Sequence, residues 1–172
     1  MSTQQDISKM TFVLPSTLVS RTDVAHLIYD IEHYDLEVAS AETRARSGVL
    51  TSQAEIRVPD SVHSFVKANH LSLEDSRQRQ EVLMALERTK KTLPIVHITL
   101  AVEADREHLE QIVMWLRAHV HPQAVIEVGL QPALIAGAYV RTSNQVFDLS
   151  LRGALRGGRE LLKREIGALR GA

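Results

Sequence analysis

Histidine and glycine carry most of the chemistry this chain offers, so their spacing comes first. Among eight histidines, His119-Val120-His121 ahead of Pro122 sets two imidazoles at i and i+2, but no further ligand follows nearby, as a metal centre would need. A solvated helix end, where histidines are favoured by the dipole, explains the pair more simply. His97 lies inside an apolar run with no serine or acid placed to work with it. It reads as a partly buried histidine bonded to a neighbour, not as a general base. Gly153, Gly157 and Gly158 lie in Leu-Arg-Gly-Ala-Leu-Arg-Gly-Gly-Arg, which has neither the Gly-Lys-Ser/Thr of a phosphate loop nor GxGxxG spacing. Each glycine costs a helix about 1 kcal/mol relative to alanine, so close packing of a neighbour is the reason to keep them. Around them Arg152, Arg156, Arg159, Lys163, Arg164 and Arg170 outnumber Glu160 and Glu165. That is either a basic face for an acidic partner or nucleic acid, or the solvated side of an amphipathic helix; no aromatic residues are interleaved to stack bases. No catalytic, metal-binding or cofactor-binding residue is assigned.

Composition narrows the classes further. With 172 residues, 44% hydrophobic and 24% charged, the chain can bury a core as one domain or two small ones. A net charge of -1 and a pI near 6.7 give no global electrostatic case for nucleic acid. Cysteine is absent, which excludes disulfides, thiolate metal sites and a cysteine nucleophile. No apolar run approaches the roughly 20 residues that span a bilayer, and the polar start Met1 to Lys9 lacks the apolar core of a signal peptide. A cytoplasmic location is therefore expected, with any membrane association made through a partner.

The elements that position these groups fall into two series. Phe12-Val13-Leu14-Pro15 reads as an extended arm that docks. Thr22 is the expected N-cap of a long helix whose stripe Leu27, Ile31, Tyr34, Val38, Ala41 and Ala45 advances by alternating steps of four and three, until Ser47-Gly48 stops it. Val49 to Val58 reads as a loop with some edge-strand character before Pro59. Asp60 or Ser61 caps a short helix with Val62, Phe65 and Val66 inward. Ser72 and Asp75 suggest a capping box before a longer helix that buries Leu73, Leu83 and Leu86, with Val82 alongside. At Thr92 to Leu93 the apolar period changes from about 3.6 to about 2, which places a domain boundary there: a mainly helical domain over 1–92 and an α/β domain over 93–172. Ile95 to Val102 is a β-branched strand, Asp105 opens a helix with Leu109, Ile112, Val113 and Leu116 on one face, and Val125 to Val128 is a second strand.

Gln131 to Leu155 then reads as a hairpin and a final helix. With Ser143-Asn144 as a two-residue loop, Val140 faces Phe147 and Ala138 faces Leu149, while Tyr139, Arg141, Val146 and Asp148 take the other face. Asp148 and Ser150 sit where strand gives way to a helix expected over Leu151 to Leu169, with Leu151, Leu155, Leu162, Ile166 and Leu169 inward. The predicted class is α+β, an N-terminal helical domain followed by a small β-α-β-β-β-α domain.

The order Pro132, Leu134-Ile135-Ala136-Gly137, strand, polar turn, strand, then Asp148-Leu149-Ser150-Leu151-Arg152 resembles the end of the delta subunit of F-type ATP synthases, the oligomycin-sensitivity-conferring protein family. The likeness runs from about Leu93 to Leu169; before Leu93 the family's helical start is not legible. The resemblance implies a non-catalytic part of the peripheral stalk of a proton-translocating, bacterial ATP synthase, at the cytoplasmic face of the membrane. In the family, the N-terminal helical domain grips the alpha subunits and the C-terminal domain receives the b subunits. On that reading Leu134, Ile135, Gly137 and Val140, with Arg152 and Arg156, face the stalk, and Leu27, Ile28 and Ile31 belong to the head side. It implies no cofactor, no small-molecule substrate, and membrane contact only through the complex.

The rival reading is a stand-alone α/β module for nucleic acid or protein, opposed by only 4% aromatic residues. An enzyme comes third, since no acid, base and nucleophile cluster in the sequence. Leu27→Asp or Ile31→Asp is expected to disrupt the N-terminal core or a groove beside it. Circular dichroism with head-binding assays checks this, and a variant unchanged in both would refute the reading of that helix.

Overall fold

Most helix starts in this chain are decided by short polar residues competing for the first free amides. The computed structural model describes residues 11–47, 56–142, 144–152 and 155. Helix α1 (Arg21–Arg46) starts at Ser20, not at Thr22. Ser20 Oγ accepts from the Asp23 amide and the Asp23 carboxylate accepts from the Ser20 amide, a reciprocal box that Thr22 has no partner to match. The same carboxylate accepts from the Val19 amide and from Arg106. Burial pushes the Asp23 carboxyl up, but the bonds from the Ser20 backbone and from the Arg106 and Ser20 side chains outweigh it and hold it below its usual value. Its stabilising contribution is present above the ordinary carboxylate pKa and fades as pH falls through the lower folded value.

Helix α2 (Asp60–Asn69) has Pro59 at its N-cap with no side-chain cap, so neither Asp60 nor Ser61 caps it; the Ser61 hydroxyl bonds to Asp30 of α1 instead. Val62 and Phe65 are buried, Val66 half-buried. Helix α3 (Ser76–Thr92) is capped by Asp75, whose carboxylate accepts from the Arg77 amide, while Ser72 serves only the preceding turn. This start corrects the expected inward face: Arg79, Val82, Ala85 and Leu86 are buried, and Leu73 and Leu83 are half-buried. The expected stop at Gly48 and residues 49–55 of the expected loop lie outside the described residues, and Ile56 to Pro59 form neither helix nor strand.

The buried charge at Arg79 has partners that justify it. Its guanidinium pairs with Asp35 of α1 and donates to the carbonyls of Leu73 and Glu74, tying the start of α3 to the middle of α1. Around it Val24, Leu27, Ile28 and Ile31 pack with Val62, Phe65, Val82 and Leu86. The extended arm docks here as expected, with Phe12 and Leu14 buried and the Phe12 ring edge-on to Phe65 at 5.3 Å.

The second layer is a four-stranded sheet of order β2-β1-β3-β4: β1 (Ile95–Leu100), β2 (Val125–Leu130), β3 (Gly137–Arg141) and β4 (Val146–Ser150). β1 and β2 are parallel, joined through helix α4 (Arg106–His119), which Asp105 caps as expected. β1–β3 and β3–β4 are antiparallel. Val96, Ile98 and Ile126 pack on Val113 and Leu116 of α4, and Val19 joins that cluster from the N-terminal side. Helices followed by a mixed sheet make the chain α+β. The boundary expected at 92 and 93 is crossed in both directions by packing, since Val125 belongs to the helical cluster and Val19 to the sheet's. Of the expected last helix, Leu151, Arg152 and Leu155 are helical, and Arg156 with Leu162, Ile166 and Leu169 lies outside the described residues. Leu151 and Leu155 are exposed, not the start of a buried stripe, because they leave the outermost strand at the rim of the sheet.

One side chain joins the layers. Arg117, one turn after Val113 on α4, donates to the carbonyls of Leu14 and Pro15 at 2.8 Å each, to Leu18, and to Ala124 at 3.1 Å. Burial pulls its pKa down to about 10, so it remains charged at neutral pH. Arg117→Ala takes the side-chain donor from these carbonyls, of which Pro15 keeps the Leu18 amide, and is expected to destabilise the fold by about 3 kcal/mol. Urea unfolding measures it, and a loss under about 1 kcal/mol would mean that the arm is held by its apolar residues alone.

Candidate partner-binding site

The hairpin register follows from the alternation of its residues: Val140 pairs with Phe147 and Ala138 with Leu149, as the two-residue loop required. Thr142 and Gln145 close the turn, with the Thr142 amide donating to the Gln145 carbonyl at 2.9 Å. On the apolar face Ala138 and Val140 reach the α4 cluster, but Phe147 and Leu149 on the outermost strand do not, and both are exposed. Asp148 accepts from the Ser150 amide and hydroxyl at the end of β4.

The residues expected to face the stalk divide by burial. Leu134 is 7% exposed and packs inward from the 3-10 turn Pro132–Leu134. Val140 is half-buried against the core. Ile135 is 61% exposed and Arg152 is exposed; Arg156 lies outside the described residues. Ile135 has φ 72° and ψ -55°, the geometry of a three-residue turn that β-branched residues rarely adopt. An outward apolar side chain held in a strained backbone is a feature that packing inside this chain does not explain. Gly137 has φ 84°, and a Cβ there would stand 2.3 Å from the Leu149 carbonyl oxygen. Only glycine allows β4 to come this close.

Ile135, Phe147, Leu149, Leu151 and Leu155 are all exposed in and after the hairpin, a run of apolar side chains beyond what a solvated surface needs. On the helical side, Leu27, Ile28 and Ile31 are buried in the chain's own core. In this conformation their side chains hold α1 to α2 and α3 and present nothing to a partner.

The histidines have local roles. His97 is exposed, which corrects its expected burial: its side of β1 faces away from α4, and its Nδ1 lies 3.2 Å from Glu127 on the neighbouring strand. His119 stacks on Trp115 at 4.8 Å and bonds to the Trp115 carbonyl, while His121 accepts from the Gln123 amide. Among the described residues no three histidines or carboxylates gather as a metal site would require. A cavity of about 530 Å³ lies between the start of α1, α4 and β2. Of the groups that line it, Ser20 is committed to Asp23 and Arg106 to Asp23, Glu110 and the Thr17 carbonyl.

Sequence reasoning passed over Arg79, Arg106 and Arg117. For two of them a signal existed: Arg117 lies at i+4 from Val113 on the buried edge of α4, and Arg79 lies at i-3 from Val82 on α3, so each is an arginine inside an apolar stripe.

A family model described as ATP synthase delta (OSCP) subunit matches residues 72–162, from the approach to α3 through β4 and beyond. The ATP synthase subunit delta of Pseudothermotoga lettingae is 30% identical over 106 residues, covering 57% of this chain and 58% of that protein. The chain thus spans under two thirds of that relative's length. The ATP synthase subunit delta of Natranaerobius thermophilus is 24% identical over 124 residues, covering 72% of this chain and 68% of that one.

Two substitutions separate fold from surface. Gly137→Ala is expected to cost about 2 kcal/mol or more, from positive φ and the approach to the Leu149 carbonyl. Ile135→Gly trades backbone strain for chain entropy and is expected to leave the urea midpoint unchanged or raised. A drop on Ile135→Gly as large as that on Gly137→Ala would show that the Ile135 side chain supports the fold and not a partner surface.

Proposed function

The chain belongs to the ATP synthase delta (OSCP) subunit family, and from that membership we propose that it is a non-catalytic peripheral-stalk subunit. It would link the catalytic head of a proton-translocating ATP synthase to the b-subunit stalk, at the cytoplasmic face of the membrane. The observation that carries the reading is the coincidence of the family match with the exposed apolar run Ile135, Phe147, Leu149, Leu151 and Leu155. An amphipathic stalk helix laid on that run would bury its apolar face there, in the helix-on-surface mode of recognition. Arg152 beside it would meet acidic residues of the b subunits. On the other side, the unit 1–92 would contact the alpha subunits, its shape maintained by Leu27, Ile28 and Ile31. The role needs no bond making, cofactor or nucleic acid. Among the described residues no helix is long and apolar enough to cross a membrane, so contact with the bilayer would come through the complex.

Affinity purification of the tagged full chain after mild detergent extraction, with the co-purifying subunits identified by mass, tests this. Alpha, beta and b subunits in complex proportions are expected, and Leu149→Asp should lose b while keeping its own fold. RNA or unrelated soluble partners in their place would transfer the function to a stand-alone binding module.

A further inference from the structure

The sheet ends at β2 on an edge that its own chain covers for one bond only. At the two ends of this strand the amides of Val125 and Gln131 donate inward, to the Pro94 and Leu100 carbonyls on the β1 side. At a period of two, the amides of Glu127 and Gly129 point inward as well. Those of Ile126, Val128 and Leu130 therefore point away from β1. The Ile126 amide donates to the carbonyl of Val19, the last residue of the N-terminal arm, before the chain turns at Ser20 into α1. Val128 and Leu130 find no acceptor among the described residues. Burial changes at the same point: Ile126 is 1% exposed, Val128 43% and Leu130 52%.

Space lies beside that edge. The cavity of about 530 Å³ runs along residues 126–128 of β2, with the start of α1 on one side and Leu109 of α4 on the other. Edge strands are blunted against pairing by lysine, by proline or by a bulge. This one pairs with β1 without interruption from Val125 to Leu130 and contains no proline or lysine. Its one charge, Glu127, lies 3.2 Å from His97 on the face away from α4. What such an edge can pair with is extended backbone, because its donors and acceptors recur every second residue, about 7 Å apart. The bond from Ile126 to Val19 shows that seat in use. The two faces set the side-chain pattern: residues of an added strand that turn toward α4 meet Leu109, Ile126 and Val128, and the alternate ones turn toward Glu127 and His97. An occupant that alternates apolar with polar residues satisfies both.

We propose that the free edge of β2 over residues 128–130 is a strand-addition site, which takes an extended segment of another chain with apolar residues at alternate positions. A second copy of this chain would carry its own arm and α1 against the same cleft, so a lone extended segment is the occupant that fits. β2 lies at the opposite edge of the sheet from β4, and the site does not rest on the stalk contact proposed above.

A short fluorescein-labelled peptide that alternates valine with threonine and lysine is titrated against the full chain by fluorescence anisotropy. Two further versions are N-methylated at every second residue, one on each edge of the extended peptide. The unmethylated peptide and one methylated version are expected to bind, and the other to bind about tenfold more weakly or worse, because it alone loses its bonds to β2. Bound peptide should slow hydrogen exchange at the amides of Val128 and Leu130 and leave those of β4 unchanged. Val128→Pro removes an outward amide and none that bonds to β1, and should abolish binding. If proline shifts the urea midpoint, Val128→Lys, which keeps the amide and blunts the edge by charge, should weaken binding with the fold kept. Absence of binding, equal binding of the two methylated peptides, protection at β4 in place of β2, or a dimer of the free chain in sedimentation that Val128→Pro disperses would each overturn the proposal.

Discussion

One guanidinium holds the two layers of this molecule in register. Arg117 projects from α4, the helix that covers the sheet, and its donors end on carbonyls of Leu14, Pro15 and Leu18 in the arm that seals the helical core. Pro15 also accepts from the Leu18 amide inside the arm, but Leu14 and Leu18 have no strand or helix to bond within, and buried backbone acceptors of that kind must find a donor elsewhere. A planar cation with five N–H groups in a fixed fork serves four carbonyls here, more than the three donors of a lysine ammonium. Val19, the Asp23 cap and the Arg106 bonds extend the same seam, so the start of α1 is placed by the sheet layer as much as by its own bundle.

That arrangement leaves apolar side chains on the outermost strand and the residues that follow it, where Phe147, Leu149, Leu151 and Leu155 are exposed. The strain at Ile135 belongs with this surface, since it turns an apolar side chain outward at the entrance to the hairpin.

Legibility from sequence followed the kind of force involved. Where burial alternates with a fixed period the reading was close: the strands, the face of α4 and the hairpin register all follow from apolar spacing. Helix starts were read less well, because Ser20, Thr22, Ser72 and Asp75 are all chemically able to cap, and tertiary neighbours such as Arg106 choose among them. The buried arginines were missed for a related reason. Arg117 bonds to backbone carbonyls about 100 residues back and Arg79 pairs with Asp35 of another helix, contacts that no local pattern of residue types records. The residues singled out through the family's motif divide by burial, Leu134 buried and Ile135 and Arg152 exposed, and the burial of Leu27, Ile28 and Ile31 likewise shows that an apolar stripe alone does not separate core from surface.

The bond from Arg117 to Leu14 spans 103 residues of chain. During synthesis the arm leaves the ribosome first and its clasp leaves much later, after roughly 5 to 20 seconds at ordinary elongation rates. Within that interval α2 and α3 emerge and can cover Phe12, Leu14 and the first helix, but the carbonyls of Leu14 and Leu18 wait for α4 to bring their donor. Closing so long a loop also places the clasp late in folding, since its entropic cost falls due before its contacts repay it. The helical half therefore comes off the ribosome able to pack its core while its N-terminal arm is still unfastened.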